Sequence, residues 1–220
     1  MFRFEKKYIL NKILINNFLN IIKSYPFKVT NSYPSRYINN IYFDTLSLKN
    51  FYSNISGERN RKKYRLRWYG SKDKILNKSF LEIKIKNNNI GTKKIYTLEN
   101  INVSNINNIK YNLFKFEIPS EVKYDLKSLY PTLSNKYLRH YFLTHDGKLR
   151  ITIDEDIIYY SHLNNTNIIF KEYRFLIIEL KFDIKNYDFA SELASLIPLR
   201  VTKYSKYVNG LLNTNKILLE

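Results

Sequence analysis

Arginine, lysine and acidic residues recur at every second position in five short stretches: Arg3-Phe-Glu5-Lys-Lys7, Arg61-Lys-Lys63-Tyr-Arg65-Leu-Arg67, Glu82-Ile-Lys84-Ile-Lys86, Arg150-Ile-Thr152-Ile-Asp154 and Glu179-Leu-Lys181-Phe-Asp183. A guanidinium fork matches two phosphate oxygens at once, and an ammonium adds compact positive charge. Carboxylates scattered among such cations suit a divalent metal, because Mg2+ and Mn2+ take one or two carboxylates and complete their shell with phosphate oxygens and water. The combination points to phosphoryl chemistry, where positioning and charge neutralisation supply most of the catalysis. Glu5 and Glu179 are the leading metal-ligand candidates. The competing reading makes each a structural ion pair with a neighbouring Arg or Lys.

A period of two is the period of a β-strand, so each stretch puts its charges on one face and its apolar residues on the other. On Arg61–Arg67 alone, neighbouring charges lie about 6.6 Å apart along the strand. Such a row is either a solvated sheet face or one wall of a closed interior. Cations on further strands (Lys84, Lys86, Arg150, Lys181, with Arg139 as a candidate) and carboxylates on the same faces (Glu5, Glu82, Asp154, Glu179) favour the closed interior. Apolar faces such as Leu81, Ile83, Ile85 and Ile178, Leu180, Phe182 then require helices packed outside.

Composition narrows the alternatives. The chain has 220 residues, a formal net charge of +18 and no cysteine. Such a field attracts polyanions, and disulfides, thiolate catalysis and Cys-based zinc sites are excluded. Tyrosine is abundant, at 20 residues, and the Lys-, Asn- and Ile-rich composition also matches AT-rich coding, so scattered lysines weigh less than the arginines concentrated in the strand motifs. No run of about 18 apolar residues marks a membrane span, and the N-terminus runs straight into a strand pattern. A cytoplasmic location is expected. Neither GxxxxGK[ST] nor GxGxxG occurs, which removes the P-loop and dinucleotide-binding readings. His140, His145 and His162 lack a metal-ligand spacing. Trp68 and the tyrosines read mainly as packing.

The elements that must position these charges are short strands. The pattern predicts a strand over 2–10, an Asn11-capped helix over 12–24 ended by Pro26, a strand over 36–44, a helical turn over 46–52 and strands over 61–69 and 79–87. A hairpin at Asn87–Gly91 leads to a strand over 92–98. Residues 99–135 lose the period of two and read as an insertion of loops and short helices. Strands resume over 136–145, turn at Asp146-Gly147 and return over 148–156. A polar loop at 161–166 precedes one long strand over 169–183. A helix including 191–196 stops at Pro198, and a last helix follows the turn at 202–210. The expected fold class is α+β, mainly antiparallel β: a closed eight-stranded tunnel barrel with helices packed outside, in a single domain over 2–212.

The motifs in order resemble one family. Arg3-Phe-Glu5-Lys-Lys7-Tyr8, Ile41-Tyr-Phe-Asp44-Thr45, Tyr64-Arg65-Leu-Arg67-Trp-Tyr-Gly70 and Leu81-Glu82-Ile-Lys84-Ile-Lys86 are followed by Tyr137-Leu-Arg139-His-Tyr141, Leu149-Arg150-Ile-Thr-Ile-Asp154, Ile178-Glu179-Leu-Lys181-Phe182 and Lys203-Tyr-Ser205-Lys206-Tyr-Val-Asn-Gly210. This series resembles the catalytic domain of the vacuolar transporter chaperone (VTC) proteins, within the triphosphate tunnel metalloenzymes of the CYTH-like superfamily. The resemblance implies a basic tunnel and an ATP-dependent polyphosphate polymerase using Mn2+ or Mg2+. Carried over by position, it implies phosphate-binding and catalytic roles for Lys7, Arg65, Arg67, Lys84, Arg139, Arg150, Lys203 and Lys206, and a metal-binding role for Glu179 alongside Glu5. Lys94 is a further phosphate contact by the same resemblance, in a stretch where Lys93 aligns equally well. Lys181 adds charge from its strand, while Arg61, Lys63 and Lys86 line the tunnel mouths.

One departure bears on direction. The wider superfamily opens ExExK, whereas Arg3 here replaces the first glutamate, as in VTC-type domains. A metal-poor, cation-rich tunnel suits holding a long polyanion better than hydrolysing a short one. The expected partners are ATP and inorganic polyphosphate, with no specific nucleic acid, no transmembrane segment and a peripheral membrane partner left open. The alternatives are a hydrolase of tripolyphosphate or nucleoside triphosphates and a non-catalytic polyphosphate-binding module.

Overall fold

Alternating charged and apolar residues dictate strands, and in the computed structural model strand is the commonest state of the chain. The structure describes residues 3–24, 26–71, 73–88, 90–163 and 168–215, with the backbone alone for Arg3 and Ile90. The strands are β1 (Arg3–Asn11), β2 (Thr30–Asp44), β3 (Arg61–Tyr69), β4 (Ile75–Leu76), β5 (Ser79–Asn87), β6 (Ile90–Leu98), β7 (Ile101–Asn102), β8 (Tyr130–Leu143), β9 (Leu149–Ser161), β10 (Ile169–Glu172) and β11 (Phe175–Asp183). The helices are α1 (Ile15–Lys23), α2 (Lys49–Ile55), α3 (Ile109–Phe114), α4 (Ser120–Lys127), α5 (Tyr187–Leu196) and α6 (Lys206–Asn215).

The fold is α+β and mostly antiparallel. The main sheet runs β1-β11-β9-β8-β2-β3-β5-β6, with β10 also paired to β9, and β4 and β7 form a separate two-stranded sheet. The expected closed barrel of eight strands is not confirmed: nine strands share the main sheet, and among the described residues no pairing joins the end strands β1 and β6. Alternation tells which face a residue takes, not which strands pair at the ends.

The chain divides into two compact units. The first comprises residues 1–37, 137–157 and 171–204. Its core packs the apolar faces of β1, β9 and β11 (Tyr8, Leu10, Ile151, Ile153, Ile178, Leu180) against Phe18 and Ile22 of α1 and Ala190 and Leu193 of α5. The second comprises residues 38–136, 158–170 and 205–220. Its core packs Ile41, Phe43, Tyr64, Leu66, Leu81 and Ile83 against Ile109 and Leu113 of α3 and Val122 and Leu126 of α4. The insertion over 99–135 thus supplies the helices that cover this sheet face.

Three boundaries differ from expectation for local reasons. Strands β2 and β8 begin earlier than predicted, at Thr30 and Tyr130, and each holds a proline, Pro34 and Pro131, near its start, where a missing N–H costs little. The first eight residues of β2 are mostly exposed, so no alternation announces them. The expected long strand over 169–183 is two strands, because the Glu172 carboxylate accepts hydrogen bonds from the backbone N–H groups of Arg174 (2.9 Å) and Phe175 (3.2 Å) and turns the chain. Residues 164–166 of the expected polar loop, Asn89 of the hairpin and residue 2 of the first strand lie outside the described residues.

Gly210 explains part of the C-terminal motif. A Cβ there would sit 2.4 Å from Leu133 Cδ2 and 2.5 Å from Tyr159 Cδ1, so only glycine lets α6 lie this close to the strands of the second unit. Tyr207 of the same helix donates to Asp44 Oδ2 (2.5 Å) and stacks on Tyr42. Asp44 also accepts from the N–H groups of Asn50 and Phe51 at the start of α2, so its buried carboxylate ties two helices to β2.

Candidate phosphate-binding site

In the second unit, strand register stacks the charges in rows. Asn40, Arg67 and Phe80 lie opposite one another, as do Tyr42, Arg65 and Glu82, then Lys63, Lys84 and Lys93, then Arg61 and Lys86. Seven cations share this face with one carboxylate. Burial grades along it: Arg67 and Glu82 are 7% and 4% exposed, Arg65 is half-buried and Lys84 is exposed. Arg65 Nε donates to Glu82 Oε2 at 2.5 Å, Lys93 Nζ donates to Glu82 Oε1 at 2.5 Å, and Arg67 Nη1 lies 3.8 Å from the same carboxylate. Burial alone pushes Glu82 up, but Arg65, Arg67 and Lys93 outweigh it and hold the carboxyl at about 2. Burial pushes the Lys93 ammonium down, against the pull of Glu82 and with help from Arg65 and Arg67. Three lysines directly opposite one another repel, and Lys93 leans across to the carboxylate.

The same unit anchors the outer cations locally. Lys63 donates to Asn54 Oδ1 (2.7 Å) and Arg61 to the Glu58 carbonyl (3.1 Å). Lys86, opposite Arg61, is half-buried, and Lys206 is half-buried in the first turn of α6. Lys94 falls elsewhere: it pairs across from Ile83, on the opposite face, and donates to Glu121 Oε1 of α4 at 2.7 Å. The cation of this strand that shares the charged face is Lys93, which alternation fixes once Lys84 is its partner.

In the first unit the rows are Glu5–Lys181–Arg150, then Lys7–Glu179–Thr152, then Ile9–Ile177–Asp154. They too descend from exposed Arg150 to Asp154, which is fully buried. From the Glu5 row to the Asp154 row, four cations (Lys7, Lys181, Arg150 and, from β8, Arg139) face three carboxylates. Arg139 clamps Asp154 bidentately at 2.5 and 2.6 Å and reaches Glu179 Oε2 at 3.7 Å. Burial opposes the Arg139 charge, and Asp154 and Glu179 reverse that, so its pKa rises. Lys181 lies 2.9 Å from Glu179 Oε2. Lys7 Nζ sits between Glu5 Oε1 (2.9 Å) and Glu179 Oε1 (3.8 Å) and donates to the Tyr204 carbonyl. That bond and Thr202 N–H to the Lys7 carbonyl (2.8 Å) pin the segment carrying exposed Lys203 beside β1.

Glu5 and Glu179 therefore converge on one cation position, now held by the Lys7 ammonium. Burial and Glu179 push the Glu5 carboxyl up, and Lys7 and Lys181 bring it below its ordinary value. The buried Thr152 hydroxyl, in the row with Glu179, has no hydrogen-bond partner among the described residues. Two carboxylates and a spare oxygen fit a hard divalent ion that keeps phosphate and water in its shell. No cluster of three or more His, Cys, Asp or Glu suited to a metal occurs among the described residues.

Sequence reasoning missed the amides. Arg67 Nε donates to Asn40 Oδ1 (2.8 Å), and Asn40 Nδ2 donates to Asn135 Oδ1 (2.8 Å). Both asparagines are buried, at 0% and 2% exposure. Position Asn40 could have been found from the β2–β3 register opposite Arg67, but a chain this rich in asparagine hides it. His140 lies on the other face of β8, between Ser35 Oγ (2.7 Å) and Glu155 Oε1 (2.6 Å), and holds no metal-ligand cluster.

The family model of the VTC domain matches residues 2–215. Among solved structures, a candidate adenylate cyclase from Vibrio parahaemolyticus aligns with a TM-score of 0.52 at 14% identity, covering 95% of this chain and 98% of its own. A second candidate adenylate cyclase, from Bacillus halodurans, aligns with a TM-score of 0.52 at 16% identity, covering 94% and 98%. At these identities the likeness is one of fold. No curated protein matches the sequence. No helix among the described residues is long and apolar enough to cross a membrane.

Proposed function

The chain belongs to the VTC domain family, and from that premise we propose that it is a metal-dependent polyphosphate polymerase that transfers the γ-phosphate of ATP to a growing polyphosphate chain. The observation that carries this reading is the surplus of cations around Glu82: Arg65, Arg67 and the Lys63–Lys84–Lys93 row have a single carboxylate between them. A row of like charges on a folded strand is relieved by an anionic ligand. A phosphate chain offers many acceptor oxygens and no donors, the chemical complement of arginine and lysine.

In the reaction, a terminal oxygen of the polyphosphate chain forms a bond to the γ-phosphorus of ATP while the bond to the β–γ bridging oxygen breaks. ADP leaves and the chain is one phosphate longer. Arg65, Arg67, Lys84 and Lys93 orient the phosphates and neutralise charge on the equatorial oxygens. Lys7, Lys181 and Arg139 do the same beside Glu179, with Arg150, Lys203 and Lys206 as further contacts and Arg61, Lys63 and Lys86 at the periphery. A divalent ion, Mn2+ or Mg2+, held by Glu5 and Glu179 would supply further neutralisation of phosphate charge. The domain over 2–212 would thread the chain through the tunnel that the family resemblance implies.

The carboxylates favour transfer over hydrolysis. A hydrolase needs a free base for water, whereas Glu5, Glu82, Asp154 and Glu179 are each engaged by a cation. A carboxyl held at about 2, as at Glu82, is a weak base. The test is to incubate the protein with ATP and Mn2+, with and without a short polyphosphate primer, and resolve the products on a gel. The reading predicts a ladder of lengthening chains. Phosphate release without chain growth moves the assignment to a hydrolase, and binding without turnover to a polyphosphate-binding module.

A further inference from the structure

The side-chain amide of Asn135 is turned by its neighbours into a hydrogen-bond donor with nothing to donate to among the described residues. The polarity starts at Arg67, whose guanidinium can only donate. Its Nε donates to Asn40 Oδ1, so Asn40 must present Nδ2 to Asn135, and Asn135 must answer with Oδ1. Reversing Asn135 alone would set two NH2 groups against each other. Reversing both would set the Asn40 NH2 against the Arg67 N–H. The orientation is therefore fixed by the network rather than chosen freely, as amide orientations otherwise are. What is left is Asn135 Nδ2, buried and without a hydrogen-bond partner among the described residues. An unmet buried donor is costly, and native proteins keep few of them unless a ligand or water completes the set.

We propose that Asn135 Nδ2 donates to a non-bridging oxygen of a bound inorganic phosphate chain, and that Arg67 and Asn40 act as the relay that aims it. This inference rests on the phosphate-binding reading of the same face. The missing partner must accept and need not donate, and the face it would approach carries a surplus of positive charge. A phosphate oxygen meets both conditions. The contact adds direction where the lysines add only charge, because a neutral amide binds an oxygen at one distance and angle. Asn40 is a positioning residue in this scheme, and Asn135 touches the ligand.

Two variants separate this role from a structural one. Asn135→Asp keeps an oxygen to accept from Asn40 but replaces the outward donor with an acceptor. Asn135→Leu removes the donor, and with it the acceptor of Asn40 Nδ2, without adding charge. Binding of sodium tripolyphosphate is measured by calorimetry, with sulfate as the generic anion control, and melting is followed with and without tripolyphosphate. The expected result is a Kd raised about tenfold in Asn135→Leu and about 100-fold or more in Asn135→Asp. Asn135→Leu should lose part of the ligand-induced rise in melting temperature, whatever its melting temperature without ligand, because the same change takes the acceptor from Asn40 Nδ2. If Asn135→Leu instead keeps the full rise, the amide serves only the fold and the inference is overturned. Should Asn135→Asp fail to fold, Asn135→Leu decides alone. A wild-type protein that does not bind tripolyphosphate overturns the phosphate reading and this inference together. Wild-type binding matched by both variants overturns this inference only.

Discussion

The charged face around Glu82 and the charged face around Glu179 are built from the same strand pattern but balanced differently. Seven cations meet one carboxylate in the first, and four meet three in the second. In the balanced region the carboxylates share their cations: Arg139 clamps Asp154 and also reaches Glu179, which Lys7 and Lys181 approach as well. In the basic region one carboxylate has three cations converging on it. The difference separates two jobs for identical residue types. Where charges match, a cation holds the fold together. Where cations outnumber carboxylates, the face carries net positive charge that an anion would offset. A divalent ion at Glu5 and Glu179 would move the balanced region toward a positive surplus.

The largest effect should come from breaking a matched pair. Arg139→Ala leaves the fully buried Asp154 without its bidentate partner, and removing one member of a buried ion pair costs about 3–5 kcal/mol. Urea unfolding should show that loss as a lowered midpoint. Arg65→Ala should cost about 1 kcal/mol or less, because Glu82 keeps Lys93 and Arg67. Equal losses in the two variants would erase the distinction between the regions.

Next comes ligand affinity, where the ranking inverts. Arg65 is spare for folding and should matter for binding, since a hydrogen bond to a charged group contributes about 1.5–3 kcal/mol. Arg65→Ala should therefore raise the Kd for tripolyphosphate about 10- to 100-fold, with a weaker dependence on salt. Lys94→Ala, on the opposite face beside Glu121, should leave it unchanged. A Lys94 effect as large as that of Arg65 would mean that surface charge at large, not this face, binds the anion.

Much of this was legible before any coordinates. Strands 61–69 and 79–87 match β3 and β5 residue for residue, because both have unbroken alternation and apolar faces that helices cover. The charged face followed from the same alternation. What failed to show was anything set by pairing rather than by period. Lys93 and Lys94 are both lysines on one strand, and only the register Lys84↔Lys93 decides which joins Glu82. Asn40 and Asn135 lie far apart in sequence and carry no charge, so nothing marks them until β2, β3 and β8 bring them to Arg67. The burial of Glu179 and Arg139 likewise belongs to tertiary packing.

A smaller effect should distinguish the regions by metal. If Glu5 and Glu179 hold a divalent ion, Mn2+ at ten times its Kd stabilises the wild type by about 1.4 kcal/mol. Glu179→Gln should abolish that rise in melting temperature. Glu82→Gln should keep it, since among the described residues no second carboxylate shares the face of Glu82 to complete a metal site. Loss of the Mn2+ effect in Glu82→Gln with retention in Glu179→Gln would exchange the assigned roles of the two regions.

The finest test is acid titration of stability. Glu82 has a folded-state pKa of about 2 against an ordinary 4.5, so it binds protons less readily folded than unfolded. Its contribution is complete above pH 4.5 and is lost as pH falls through about 2. Glu5 shifts in the same direction, but Glu179 beside it works against Lys7 and Lys181. Glu82 has no such carboxylate neighbour among the groups that set its pKa. Glu82→Gln should therefore flatten the slope of unfolding free energy between pH 4.5 and 2 more than Glu5→Gln does. Urea melts at a series of pH values measure both slopes. A steeper loss at Glu5 would show that its region carries more uncompensated positive charge than the Lys7–Glu5 and Lys181–Glu179 pairings imply, and the contrast between a matched face and a surplus face would then rest on Arg139 and Asp154 alone.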